Sequence, residues 1–263
     1  VILALGESLF AYIDELSAAS AQGYALEQSE RAGEHQRRRG DLLEMILRGE
    51  TESGVTRAAM ALGWTLPDVV VVATLPPSRL EGVRGALGPE ALVAERGTEV
   101  AVIMPFGNSA ARTKELNRAL RGRQAIIGPP RPWQQAAESL HLAVSAAAHE
   151  LGDPTETDDE PVWVADHLAE LVVRAEPLAT ADLARRRLAP LDTLRPPARA
   201  RLAETLLSWL RHQGQRAPIA AELFVHQQTV GYRVAQLKEL FGEVLDDPEA
   251  RFELELVLRA GHR

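Results

Sequence analysis

Apolar positions recur at helical spacing from the start of the chain. Leu9, Tyr12, Ile13, Leu16, Ala19 and Ala21 keep an approximate 3.6-residue period, so residues 6–48 read as helix. The charged stretch 30–39 is a solvated helix or a helical linker. Asp41-Leu-Leu-Glu-Met-Ile-Leu47 then restores an apolar face, and Gly49 is placed to cap it. The pattern changes after residue 50. A short helix over 56–62, ended by Gly63, precedes Val69-Val-Val-Val-Ala-Thr-Leu75, a β-branched run of buried-strand length that Pro76-Pro77 stops. A helix is predicted over 79–87, strands over 91–94, 99–105 and 124–128, and a hairpin turn at Arg96-Gly97-Thr98. Ser109 is a candidate cap for a helix through Leu120, and 132–151 reads as a long Ala-rich helix. Residues 152–161 form a polar break. Val162-Trp-Val164 reads as an edge strand, followed by helices from about 165 and from Thr180 through Leu188. Pro190 and Pro196-Pro197 punctuate the entry to a last, all-helical part.

That last part carries the most informative pattern. Pro218-Ile-Ala-Ala-Glu-Leu-Phe-Val-His226 reads as a short helix and a turn, with Ile219, Ala220 and Leu223 on one face. A second helix runs from about Gln227, with Val230, Val234, Leu237 and Phe241 on one stripe. Val225 and Val230 stand where a hydrophobic staple would stand. Helix 198–212 is expected to pack behind the pair, and Pro248 to open a closing helix over 249–260. The polar side of the second helix holds Gln227, Gln228, Gly231, Tyr232 and Lys238, with Thr229 and Arg233 at its edges. Gln can pair bidentately with adenine and Arg with guanine, while Gly permits close backbone approach. The pattern is that of a helix-turn-helix whose second helix reads the major groove. The candidate DNA-binding residues are therefore His226, Gln227, Gln228, Thr229, Gly231, Tyr232 and Arg233. His226 opens the second helix, where it can reach a phosphate or the turn backbone. Arg233 can read a guanine, clamp a phosphate or brace the first helix of the pair. The competing reading is an ordinary amphipathic helix pair. The turn position usually held by Gly is Phe224, and positive φ is costly for a bulky residue.

Two resemblances follow from these residues. Glu204-Thr-Leu-Leu-Ser-Trp-Leu210, Ala220-Ala-Glu-Leu-Phe-Val-His226, Thr229-Val230, Tyr232-Arg233 and Leu245-Asp-Asp-Pro248 resemble the C-terminal domain of PucR-type transcriptional regulators. That family includes purine-catabolism and sugar-diacid (CdaR) regulators, and a Phe in the turn is common in it. The match covers about the last seventy residues. Val93-Ala-Glu-Arg-Gly-Thr-Glu-Val-Ala-Val-Ile-Met-Pro105 looks like the central hairpin of GGDEF-type nucleotide cyclase domains, with Arg96-Gly97-Thr98-Glu99-Val100 at the signature. Arg96 would obstruct nucleotide approach, and Thr98 offers Mg²⁺ only a neutral hydroxyl in place of a carboxylate. The resemblance implies a degenerate, catalytically silent middle domain. The expected architecture is an N-terminal helical segment over 1–48, an α/β (α+β) GGDEF-like domain over 49–190, and an all-α helix-turn-helix domain over 191–263.

Composition narrows the alternatives. The 263 residues include no cysteine, which excludes disulfides and thiolate metal sites. No P-loop, dinucleotide fingerprint or zinc-protease motif occurs. His141 and His149 are two turns apart, too far to share a metal, and Asp158, Asp159 and Glu160 lack EF-hand spacing. No metal or cofactor is expected, and no enzymatic activity. The net charge of −8 belongs to residues 1–190; residues 191–263 carry ten basic and ten acidic side chains. Val1-Ile-Leu-Ala-Leu5 is too short for a signal or membrane segment. The expected location is the cytoplasm. The start at Val1 suggests a piece of a longer protein with an upstream sensory region. The expected partners are double-stranded DNA, a second copy of the chain and an unidentified small-molecule effector. A cyclase-derived nucleotide-binding domain and a protein-interaction module are the competing functions.

Overall fold

The computed structural model of the chain describes residue 28 and residues 31–107, 109–151 and 160–261. The helix expected ahead of residue 28 and most of the polar break lie outside the described residues. Two compact units emerge, residues 1–147 with 152–165, and residues 148–151 with 166–263.

The first unit is built on one sheet. Helix α1 (residues 31–47) ends as its sequence directs: Gly49 takes φ 67°, the Gly49 N–H donates to the Ile46 carbonyl and the Glu50 N–H to that of Met45. Helix α2 (Glu52–Ala61) begins four residues earlier than the apolar pattern indicates, with Thr51 before it and Glu52 favourably placed in its first turn. Strand β1 (Val69–Leu75) pairs antiparallel with β3 (Glu99–Pro105), which pairs antiparallel with β2 (Leu92–Arg96). The expected helix over 79–87 is broken. Gly82, at φ 74°, stands between a 3-10 turn (Pro77–Arg79) and α3 (Val83–Leu87). Helix α4 (Ala110–Leu120) starts where Ser109 Oγ accepts the Arg112 N–H. It leads to β4 (Ile126–Ile127), antiparallel to β1, and β6 (Val162–Trp163) runs parallel to β4 at the edge. The short β5 (Arg131–Pro132) also pairs β1.

The order β2-β3-β1-β4 makes each crossover skip one strand. β1 and β2 are parallel with β3 between them, and β3 and β4 are parallel with β1 between them. These are two interlocked split β-α-β units. Because β1 and β3 are covered on both faces, they read as continuous apolar runs. One face holds Val71, Ala73, Val102 and Met104 against Leu116 and Leu120 of α4 and Val83 of α3. The other holds Val70, Val72 and Ile103 against Leu42, Leu43 and Ile46 of α1, with Trp64 and Trp133. Helix α5 (Ala136–Ala148) explains why β4 is so short. Its Ser139 hydroxyl accepts the Val72 N–H at 3.1 Å, in place of a ladder carbonyl, while the Gly128 N–H donates to the Val72 carbonyl at 2.9 Å. A Cβ on Gly128 would lie 1.9 Å from the Ser139 carbonyl oxygen.

The second unit is helical: α6 (Leu168–Arg174), α7 (Pro177–Leu188), α8 (Pro196–Arg211), α9 (Arg216–Glu222), α10 (Gln227–Phe241) and α11 (Pro248–Ala260). Prolines begin α7, α8 and α11, where a missing N–H has no helical partner. Helices α6 and α7, ahead of Leu191, pack against α11. The main core joins Leu202, Leu206 and Leu210 of α8 to Leu237 and Phe241 of α10 and Leu254 and Leu258 of α11.

Candidate nucleic-acid interface

Helices α9 and α10 meet through a small apolar cluster of Ile219, Ala220 and Val230, closed by Leu223, Val225, Val234 and Trp209. Val230, Leu237 and Phe241 are buried, as their stripe predicts, and Val234 is half-buried. The staple pair Val225 and Val230 is in this cluster. The turn residue Phe224 adopts φ 52° with its side chain 96% exposed. A bulky residue thus stands in the left-handed region without packing that compensates for it.

Around that cluster the polar side chains divide into two groups. One group is spent on the scaffold. Glu222 at the end of α9 accepts from Ser208 Oγ at 2.5 Å and from Arg211 Nη1 at 2.8 Å, and lies 2.8 Å from His212 Nε2. The Ser208 hydrogen bond foremost, then His212 and the positive charge of Arg211, hold the Glu222 carboxyl below the usual range, while burial opposes them. Arg233 Nη1 donates to Thr205 Oγ1 at 3.3 Å, and the buried Thr205 hydroxyl donates to the Arg201 carbonyl at 2.7 Å. Arg233 is thus tied to α8, the helix behind the pair, and not to the first helix of the pair. His226 serves the backbone: it is the N-cap of α10, and its Nδ1 accepts the Gln228 N–H at 3.3 Å.

The other group faces outward. Gln227, Gln228, Thr229 and Tyr232 are exposed, with Tyr232 at 72%. Gln228 and Tyr232 lie opposite the buried stripe, and Thr229 shares the α8 flank with Arg233. Gly231 is on the α9 flank and is covered: a Cβ there would come 3.7 Å from Nη1 of Arg216. Arg216, in the first turn of α9, belongs to this surface and is missed when only the second helix is read. The charge balance conceals a further feature. Residues 211–238 carry four Arg and Lys against one carboxylate, the engaged Glu222, whereas 239–263 carry three against seven. Within α9 and α10 themselves, Arg216, Arg233 and Lys238 stand against Glu222 and Glu239, and most of the acidity follows α10.

In the first unit, Arg96 at the hairpin tip donates from Nε to Glu44 Oε1 of α1 at 2.8 Å. Glu99 accepts from Thr74 Oγ1 at 3.0 Å, and Gly97 takes φ 64° in the two-residue turn. No group of three His, Asp or Glu side chains among the described residues is arranged to hold a metal. No helix among them is long and apolar enough to cross a membrane.

Residues 202–260 match the model of the PucR C-terminal helix-turn-helix domain, and residues 1–47 that of the PucR-like N-terminal domain. An uncharacterized protein from the pkwA 5′ region of Thermomonospora curvata is 30% identical over 166 residues, 62% of this chain and 83% of that protein. The two ends of the chain thus match two domains of PucR-type regulators. An uncharacterized protein of Mycobacterium tuberculosis is 28% identical to this chain over 285 residues, 99% of the chain. The chain spans 66% of that relative's length, and the same holds for an uncharacterized protein of Mycobacterium bovis. A regulator of polyketide synthase expression from Bifidobacterium adolescentis, known from its crystal structure, is 21% identical, covering 86% of this chain and 92% of that one, with a TM-score of 0.39. That likeness is too distant to bear on fold or function.

Proposed function

We propose that this chain is a PucR-type transcriptional regulator that binds double-stranded DNA through α9 and α10 as a homodimer, under the control of an effector. The observation that carries the reading is the outward face of α10. Exposed Gln228 and Tyr232 lie opposite a buried Val230–Leu237–Phe241 stripe, in the region matched by the helix-turn-helix model. Gln228 supplies the bidentate amide at the centre of that face, with Gln227 and Thr229 at its sides. His226 and Arg233 support it from the backbone and from α8. A second copy would double the phosphate contacts and occupy a half-site about 34 Å away or a multiple of that.

The first unit is, in this reading, a GGDEF-derived domain without catalysis. Arg96 and Thr98 occupy the signature turn, and Arg96 is engaged with Glu44. The full chain incubated with GTP and Mg²⁺ or Mn²⁺ should yield no cyclic dinucleotide above a boiled control, and turnover would refute this part.

The deciding experiment is selection of bound duplexes from a random DNA pool by the full chain. Enrichment of one motif, with Gln228→Ala shifting preference at one base position per half-site by about 1–3 kcal/mol, is the expected result. No enrichment at low salt would overturn the reading. The 96% exposure of Phe224 would then favour a protein-docking helix pair.

A further inference from the structure

The recognition helix has a gap in its chemistry. Its own guanidinium, Arg233, is turned toward α8 and bonded to Thr205. Its other cation, Lys238, lies in the last turn. The N-terminal half of α10, where base edges are met, therefore presents amides, a hydroxyl and a phenol but no outward positive charge. DNA binding needs cations beside the reading face, because phosphate contacts supply much of the affinity and set the register.

Arg216 stands in that gap. It comes from the first turn of α9, yet its guanidinium lies over the backbone of α10 at Gly231. Gly231 is one turn after Gln227 and adjoins Tyr232, so the guanidinium flanks the polar face. Arg216 is exposed and forms no ion pair with a described carboxylate, whereas Arg211 is held by Glu222, Arg186 and Arg187 by Glu253, and Arg259 by Glu255. The only carboxylate between residues 211 and 238 is Glu222, already engaged by Ser208, Arg211 and His212.

We infer that Arg216 is a phosphate-binding residue of the DNA interface, supplying from α9 the charge that α10 lacks. This rests on the DNA-binding reading above and adds a residue and a role to it. Its flank position, off the centre defined by Gln228 and Tyr232, assigns it to the sugar–phosphate backbone and not to a base edge. A guanidinium suits a phosphate because its planar fork donates two parallel hydrogen bonds.

The test uses the full chain and a duplex recovered by selection with the parent. Arg216→Gln should weaken binding roughly tenfold at 0.1 M salt, equally across single-base variants of the site, and make the log–log salt slope shallower by about 0.9. Arg216→Lys should restore the slope and most of the affinity. Circular dichroism and thermal unfolding should be unchanged in both, since among the described residues this side chain makes no hydrogen bond or ion pair and only rests against Gly231. Parental affinity and slope for Arg216→Gln would overturn the inference while leaving the DNA-binding reading intact. So would a loss confined to one base position, which would make Arg216 a base reader. A parent that enriches no duplex overturns both.

Discussion

Glu222 is where the orientation of the reading pair is most exposed to a single change. Replacing it with alanine removes three interactions at once. Ser208 is 2% exposed, and its hydroxyl would lose its partner inside the domain. An unsatisfied buried hydroxyl costs about 1–3 kcal/mol. The Arg211 and His212 contacts are about one-third to one-half exposed, so each adds only about 0.2–1 kcal/mol. Together the loss is about 1.5–5 kcal/mol, directed at the α8–α9 junction. Hydrogen exchange by mass spectrometry on the full chain localises it. Peptides spanning α9 and the start of α10 should open at least roughly tenfold more often in Glu222→Ala, while those of the first unit are unchanged. The same carboxylate makes the junction acid-sensitive. Because the folded pKa of Glu222 is depressed, its stabilisation is complete above the unfolded carboxylate value and disappears as pH falls through the folded one. Protection of α9 in the parent should therefore fall on the acid side of the ordinary carboxylate range, and Glu222→Gln should blunt that dependence. Parental exchange in Glu222→Ala would refute the reasoning, because the three contacts would then be ornamental.

The left-handed turn offers a second measurement. Phe224→Gly should leave the second unit about 1 kcal/mol more stable than Phe224→Ala in urea, since glycine relieves the strain at φ 52° and neither variant loses packing. Equal midpoints would show that the residue is not strained. In the first unit, Gly128→Ala should destabilise by more than about 3 kcal/mol, because the new methyl would fall 1.9 Å from the backbone oxygen of Ser139. A folded, parent-like Gly128→Ala by thermal unfolding would mean that α5 can move off the sheet.

Much of the fold is readable from periodicity alone. Strand β1 has the expected limits because a run of four valines can only be buried on both faces. The stripe Val230, Leu237 and Phe241 places α10 to within a residue. The misreadings have local causes. The helix expected over 79–87 fails at Gly82, whose left-handed conformation is invisible to an apolar count. The strand expected over 124–128 shrinks to Ile126–Ile127 because a serine hydroxyl of a distant helix takes over the next ladder position. Arg216 escapes notice because it reaches the surface of α10 from another helix. The basic character of 211–238 is hidden when it is averaged with the acidic stretch that follows.

What sets the angle of the reading pair is a polar stripe on α8. Thr205 and Ser208, with the C-cap residue His212, fall at i, i+3 and i+7, on one side of the helix. Thr205 and Ser208 are buried, so α9 and α10 must lie where their own polar groups can meet those hydroxyls. Glu222 does so for Ser208 and His212, and Arg233 for Thr205. An all-leucine stripe would bury more apolar area, but it would let either helix slide by a fraction of a turn at little cost. Directional bonds at both helices remove that freedom. Gln228 and Arg216 are thereby held in a fixed relation, as the proposed DNA binding would require for base edges and phosphates to be met together.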